Sequence, residues 1–379
     1  MPRDPYFDIL FEPVQIGPVT TKNRFYQVPH SCGMGYRMPN TLAAMRGMKA
    51  EGGWGVVNTG ICSIHPTSED MPYPHGCIWD DEDIKANALL AEKVHEHGSL
   101  AGMELWHGGH QVANLYSRET PLAAYSRPAV FNDPVQSSIL GKSDIKKVRK
   151  WYVDAAIRGK NAGFDIIYVY ATHNYLIAPF LSSKANNRTD EYGGSAENRV
   201  RLLRELIEET KNAVGDKCAV AVRFCADDGS GVDGLAQVEE QKEMMGLIAD
   251  LPDLWDLSIS DWSYEMGSSR FVKEGALEDY VSYVKTLTTK PVVSVGRFTS
   301  PNTMVSQVKR GIMDLIGAAR PSIADPFLPK KLKKDGKKIS ENVSGVICVL
   351  PMIIAVHHCF VHKIRPWVKS GVGAGIRKK

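Results

Sequence analysis

The sequence predicts an α/β fold, a (β/α)8 TIM barrel, on three observations. Eight short β-rich runs recur along the 379 residues, at 24–29, 55–59, 100–106, 164–170, 218–224, 255–260, 291–296 and 313–318. Helical patterns lie between them. Most runs lack strict apolar–polar alternation, as expected of parallel strands covered on both faces. The length allows two or three domains, but one barrel can span it alone. An open doubly wound sheet is the competing arrangement, and the strand count favours the barrel.

The helical patterns follow in order. Residues 83–97 carry Ile84, Leu89, Leu90 and Val94 and stop at Gly98. Residues 143–161 open with Ser143 and Asp144 as cap candidates and end before Gly163. Residues 195–214 place Leu202, Leu203, Leu206 and Ile207 on one face. Patterns at 237–251, 277–287 and 301–311 complete the set. Two segments, 106–143 and 174–194, exceed simple barrel connections. Long loops at the C-terminal ends of barrel strands usually build the active site.

Composition narrows the function classes. Hydrophobic residues at 43% and charged residues at 23% exclude disorder and collagen-like structure. The net charge of +3, from 46 basic and 43 acidic residues, is too even to imply nucleic acid or an anionic membrane. No apolar run approaches the roughly 18 residues of a membrane span. The first residues carry prolines and acids where a signal peptide needs an apolar core. Seven scattered cysteines argue against a disulfide framework and for a reducing cytoplasm.

Chemistry in a barrel sits where strands end. Those ends supply His30, Ser31, Cys32, Gly60, Cys62, Glu104, His107, Tyr170, His173, Arg223, Asp261, Trp262, Gly296, Arg297 and Arg320. Arg223 lies inside an otherwise apolar strand, so its guanidinium calls for an anionic partner. Gly296–Arg297 and the run Gly317-Ala318-Ala319-Arg320 read as a phosphate cradle. Small residues let backbone N–H groups approach an anion, and Arg supplies charge. No GxGxxG follows a strand, so no dinucleotide-binding domain is expected.

These residues resemble a known family. The strings NRTDEYGGSAENR at 187–199, YATHNY at 170–175 and ELWH at 104–107 are similar to the Old Yellow Enzyme (NADH:flavin oxidoreductase) family of FMN barrels. The trimethylamine/dimethylamine dehydrogenase branch is the closer match. It rests on DILFEP at 8–13, NRFYQVPH at 23–30, KAEGGW at 49–54 and GAARPSIADPFLP at 317–329. The resemblance runs from about residue 4 to 330.

It implies FMN, with Arg223 at the pyrimidine edge and Glu104 accepting from the ring N3–H. Pro29 and His30 would line the ring, and Gly296, Arg297, Ala319 and Arg320 would hold the phosphate. Tyr170 and His173 match the amine dehydrogenases' active-site pair, with Glu265 in the place of its acidic third member. Trp262 would surround the substrate nitrogen, an aromatic face suiting a cationic amine. The implied reaction is oxidative N-dealkylation of a small tertiary or secondary amine. One alternative is an NAD(P)H-dependent ene-reductase with Tyr175 as proton donor. Another is a truncated, idle flavin-binding fragment.

The chain departs from the branch in four places. Ser31 stands where the branch has its flavin-linking cysteine, and Cys32 follows one place later, so non-covalent FMN is expected. Ile61 replaces a tyrosine of the substrate bowl, which thins its aromatic lining and admits a different or larger amine. The tail holds only Cys348 and Cys359, so the family's 4Fe-4S cluster is not expected. The chain also ends where the family's nucleotide-binding domains would begin. The expected organisation is therefore an FMN barrel at 1–335 and an irregular C-terminal tail at 336–379. A shifted reading frame near 343–347 would give a string similar to the family's sequence, so the tail reads as frame-shifted. Expected partners are a small amine, an electron-transfer flavoprotein and a second copy of the chain in a homodimer. Nucleic acid and membrane are not expected.

Overall fold

The structure, a computed structural model, describes residues 4–68, 74–114, 117–128, 135–227, 238–259 and 272–335. An N-terminal hairpin, β1 (Val14–Ile16) and β2 (Val19–Thr21), precedes the barrel. Barrel strands are β3 (Phe25–Gln27), β4 (Val56–Ser63) and β5 (Leu100–Trp106). The long connection after β5 contains a small parallel pair, β6 (Leu122–Ala123) and β7 (Ser138–Ile139). The barrel continues through β8 (Ile166–Ala171), β9 (Ala219–Asp227), β10 (Leu254–Ile259), β11 (Val292–Ser294) and β12 (Leu315–Gly317). These eight close in the order β10-β11-β12-β3-β4-β5-β8-β9, every pair parallel. The closed barrel is the arrangement that the strand count favours.

The interior is packed rather than open. Tyr26, Val28, Val56, Ile166, Tyr168, Leu254, Val293 and Leu315 fill it, and the Tyr26 and Tyr168 hydroxyls hydrogen-bond across the barrel. A larger apolar layer joins the strands to the surrounding helices, where Leu202, Leu203, Leu206 and Ile207 are all buried. The filled lower half confines polar chemistry to the mouth.

Several elements differ from the sequence reading. β4 runs to Ser63 instead of 59, because its pairing with β5 shifts register between Asn58 and Ile61. Such a bulge bends a strand and re-aims side chains. The helix predicted from Ser143 is Lys142–Asn161, with Gly141 at its N-cap. Asp144 lies inside it and accepts the Gly141 N–H at 3.1 Å. Ser195 does cap its helix, Ala196–Val214, accepting from the Asn198 N–H. The 277–287 pattern is a single α-turn, Glu278–Val281, followed by a 3-10 turn, Ser282–Thr286.

Among the described residues, α1 (Pro39–Glu51) is the longest helix that the periodicity does not predict. Its buried face mixes Leu42, Ala43 and Ala50 with Arg46 and Lys49, so it shows no clean apolar stripe. Among the described residues, no helix is long and apolar enough to cross a membrane. Trp262, Glu265, Asp261 and the tail at 336–379, with Cys348 and Cys359, lie outside the described residues.

Candidate active site

A polar band crosses the barrel mouth. It starts at Glu104 on β5, which is 1% exposed. The Arg223 guanidinium of β9 donates to Glu104 Oε1 at 3.0 Å and to the Pro29 carbonyl at 3.2 Å. The anionic partner that Arg223 requires is thus Glu104, and Arg223 also lies 5.6 Å from the Tyr170 ring centre. The β4 bulge seats Glu104 from the other side, since its backbone N–H donates to Thr59 Oγ1 at 3.1 Å. Gly60, in that bulge, has no room for a side chain: a Cβ would lie 2.6 Å from the Ser31 Cα.

His30 continues the band past Pro29. Its Nδ1 lies 3.1 Å from the Val28 carbonyl, which assigns the proton to Nδ1. Nε2 then accepts, with Arg46 Nη1 at 2.8 Å and Lys49 Nζ at 3.0 Å. Burial, followed by the two cations, holds the imidazole well below its usual range, so it is neutral. Arg46 also donates to Gln27 Oε1 and the His30 carbonyl. Lys49 reaches Ser322 Oγ, at 3.0 Å, in the turn after β12.

That turn holds Ala319 and Arg320, both half-buried, and the neighbouring end of β11 holds Gly296 and Arg297. Arg297 adopts φ +55°, a left-handed conformation that costs a non-glycine residue energy. Its Nε is buried without a hydrogen-bond partner. Gly296 is required by packing, since a Cβ there would meet the Phe298 ring at 2.8 Å.

The apolar side of the mouth is a wall of Ile61, Trp106, Val112 and Tyr170, with Tyr175 packed against it. Tyr175 meets the Trp106 and Tyr170 rings edge-on at 5.1 and 5.4 Å. The Tyr170 hydroxyl hydrogen-bonds His173 Nδ1. His173 and Asn174 both adopt left-handed backbone, φ +55° and +58°, which folds the imidazole back onto Tyr170. Ser31 turns its hydroxyl to β4, accepting the Ile61 N–H at 3.2 Å. Cys32 packs against the outer core. Cys62 is a buried thiol pushed up to about 12 by burial.

His107 has a structural role. Its Nδ1 accepts the Gly109 N–H, its Nε2 meets Thr67 Oγ1, and burial lowers its pKa to about 3. Sequence reasoning missed Gln27, Arg46, Lys49 and Thr59 as mouth residues. Lys49 does open the KAEGGW string, which was its one available signal.

Residues 9–338 match the model of the NADH:flavin oxidoreductase / NADH oxidase family. The chain belongs to this family. It is 41% identical over 346 residues to dimethylamine dehydrogenase of Hyphomicrobium sp. (strain x), covering 88% of this chain and 46% of the relative. Two solved structures superpose with TM-score 0.83. One is 6-hydroxypseudooxynicotine amine oxidase of Pseudomonas geniculata N1, at 51% identity over 87% of this chain and 50% of that one. The other is histamine dehydrogenase of Rhizobium sp. 4-9, at 49% identity over 86% and 48%. The chain spans about half the length of the curated relatives it matches first.

The family's cofactor, FMN, fits the mouth on its own evidence. An arginine with a buried, unpartnered Nε stands at the end of β11, and Arg320 opens the adjacent turn. A paired Glu104 and Arg223 offer an acceptor and a cation to a ring edge.

Proposed function

We propose that this chain is the FMN-binding portion of an amine oxidoreductase that removes hydrogen from the carbon next to an amine nitrogen. The observation that carries the reading is the Tyr170–His173 hydrogen bond, set in an aromatic wall beside the Glu104–Arg223 pair. Bound flavin supplies the redox chemistry, accepting a hydride equivalent from that carbon. Every other role falls to this chain. Arg223 and Glu104 hold the ring edge, and Arg297 and Arg320 hold the phosphate. Tyr170 and His173 share a proton that can pass to or from the amine. The Trp106, Tyr170 and Tyr175 rings exclude water. Water then hydrolyses the iminium product to an aldehyde and a shorter amine, or ammonia where the amine is primary.

The pocket suits an amine larger than dimethylamine. Ile61 occupies the wall where a tyrosine would fill space. The two solved relatives above are named for ring-bearing amines, histamine and 6-hydroxypseudooxynicotine. FMN is held non-covalently, because Ser31 is engaged with β4 and Cys32 faces the core. Electrons leave for an electron-transfer flavoprotein. Acid precipitation tests the attachment: yellow colour in the supernatant supports it, and colour retained in the pellet refutes it.

Anaerobic absorbance titration tests the chemistry. Bleaching by histamine or a methylamine, with none by NADPH, is expected. Bleaching by NADPH alone would favour ene reduction with Tyr175 as proton donor, a reading supported by the NADPH dehydrogenase of Bacillus subtilis at 29% identity. No bleaching by either would mark an idle fragment.

A further inference from the structure

Behind His30 lie two cations that the amine chemistry leaves unused. Arg46 and Lys49 of α1 are 0% and 1% exposed. Both reach His30 Nε2, yet a neutral imidazole has one lone pair there. Their other acceptors are uncharged: Gln27 Oε1, the His30 carbonyl and Ser322 Oγ. Arg46 Nε is buried with no acceptor at all. Glu104, a buried acid of the mouth, is paired with Arg223. Among the described residues, no carboxylate pairs with either cation. Burial and the neighbouring Arg46 push the Lys49 ammonium well below its ordinary range, so its charge is strained until an anion arrives beside it.

Two like charges buried on neutral partners destabilise a fold that gains nothing from them elsewhere. Their place indicates the gain. Lys49 spans from His30, at the end of β3, to Ser322, whose hydroxyl donates to the Ala319 carbonyl at 2.7 Å. It therefore joins the ring end of the mouth to the phosphate turn. A flavin that takes two electrons and one proton gains one negative charge, and nearby charge tunes that step.

We propose that Arg46 and Lys49 are an electrostatic seat for reduced flavin, their unbalanced positive charge met by the negative charge that the ring gains on reduction. The inference rests on the flavin reading above. Neither residue touches reacting atoms. They act through His30 and through the field, as positioning residues.

The test compares the full chain with Lys49→Met, Lys49→Gln and Lys49→Arg, each reconstituted with FMN. Lys49→Met and Lys49→Gln should still bind oxidised FMN. Their preference for reduced over oxidised flavin should fall at least tenfold, a drop in midpoint potential of about 30 mV for a two-electron couple. The FMN-free Lys49→Met protein should melt higher than wild type, because an uncompensated buried cation is gone. Lys49→Arg should keep the wild-type potential. An unchanged potential together with a lower melting temperature would show a mere structural bridge to Ser322 and overturn the proposal. A wild-type chain that binds no FMN would sink the functional reading and the proposal together. A potential shift in a protein that no amine reduces would sustain the proposal and sink only the amine chemistry.

Discussion

Two arginines enter the same barrel mouth and meet opposite surroundings. Arg223 has a buried carboxylate at 3.0 Å and a backbone carbonyl at 3.2 Å. Arg46 has a neighbouring lysine, a neutral histidine, an amide and a carbonyl. The first is an internally balanced pair, and its geometry is fixed whether or not anything binds. The second is charge held in reserve. A site that must bind an anionic cofactor and then accept more negative charge needs both, a rigid edge and an unspent positive field.

Breaking the balanced side should have the largest effect. Arg223→Met leaves Glu104 buried without a cation and should cost about 3–5 kcal/mol of stability. Pairing it with Glu104→Leu should recover most of that loss, as denaturant unfolding of the flavin-free chain would show. A single variant that costs under about 1 kcal/mol would mean that Glu104 is solvated or protonated, and the contrast between the arginines would fail.

The next effect belongs to the phosphate end. Arg320→Ala should weaken FMN binding by on the order of 2–4 kcal/mol, since a charge-assisted contact is lost. Quenching of flavin fluorescence on titration reads this directly. An unchanged dissociation constant would move the phosphate to other residues.

A smaller effect comes from the neutral histidines, which extend the same logic to pH. His107 and His110 are buried, and burial lowers each to about 3. In the unfolded chain each titrates near 6.5. The unfolded state therefore binds more protons between those values, so stability is full above about pH 6.5 and falls as pH drops. From pH 6.5 to 5 the loss should approach about 2 kcal/mol per histidine. Melting of wild type against His110→Met across that range checks the sign. A wild-type curve that is flat or rises toward pH 5 would refute it.

What the sequence revealed, and what it hid, follows the same division. All eight barrel strands, β3 to β5 and β8 to β12, were legible because short β-rich runs flanked by turn residues read as covered parallel strands. Arg223 stood out because a guanidinium inside such a run is conspicuous. Arg46 and Lys49 stayed hidden because they lie on a helix that has no apolar stripe, where charged residues read as solvated surface. The β4 bulge was missed because Gly60 read as the end of the strand and not as a bulge within it, where Thr59 accepts from Glu104. Tyr170 and His173 were legible as strand-end residues. Their hydrogen bond depends on the left-handed backbone at His173 and Asn174, which residue identity alone does not dictate.

The smallest effect should fall on the apolar wall, away from both charged sets. Ile61 is 9% exposed and packs with Trp106, Val112, Tyr170 and Tyr175. Ile61→Tyr adds a ring to that wall, on the side where the proposed amine would sit. The larger side chain should exclude a ring-bearing amine and favour a methylamine. The expected change in relative rate of flavin bleaching, histamine against dimethylamine, is about tenfold, close to 1.4 kcal/mol, within what a pocket contact of this size can contribute. The flavin potential should stay where it was, because no charge has moved. If both amines slow equally, Ile61 supports the barrel mouth as a whole. If the potential shifts as well, the apolar wall and the cationic seat are coupled, and the two sides of the mouth are not the separate devices that their surroundings suggest.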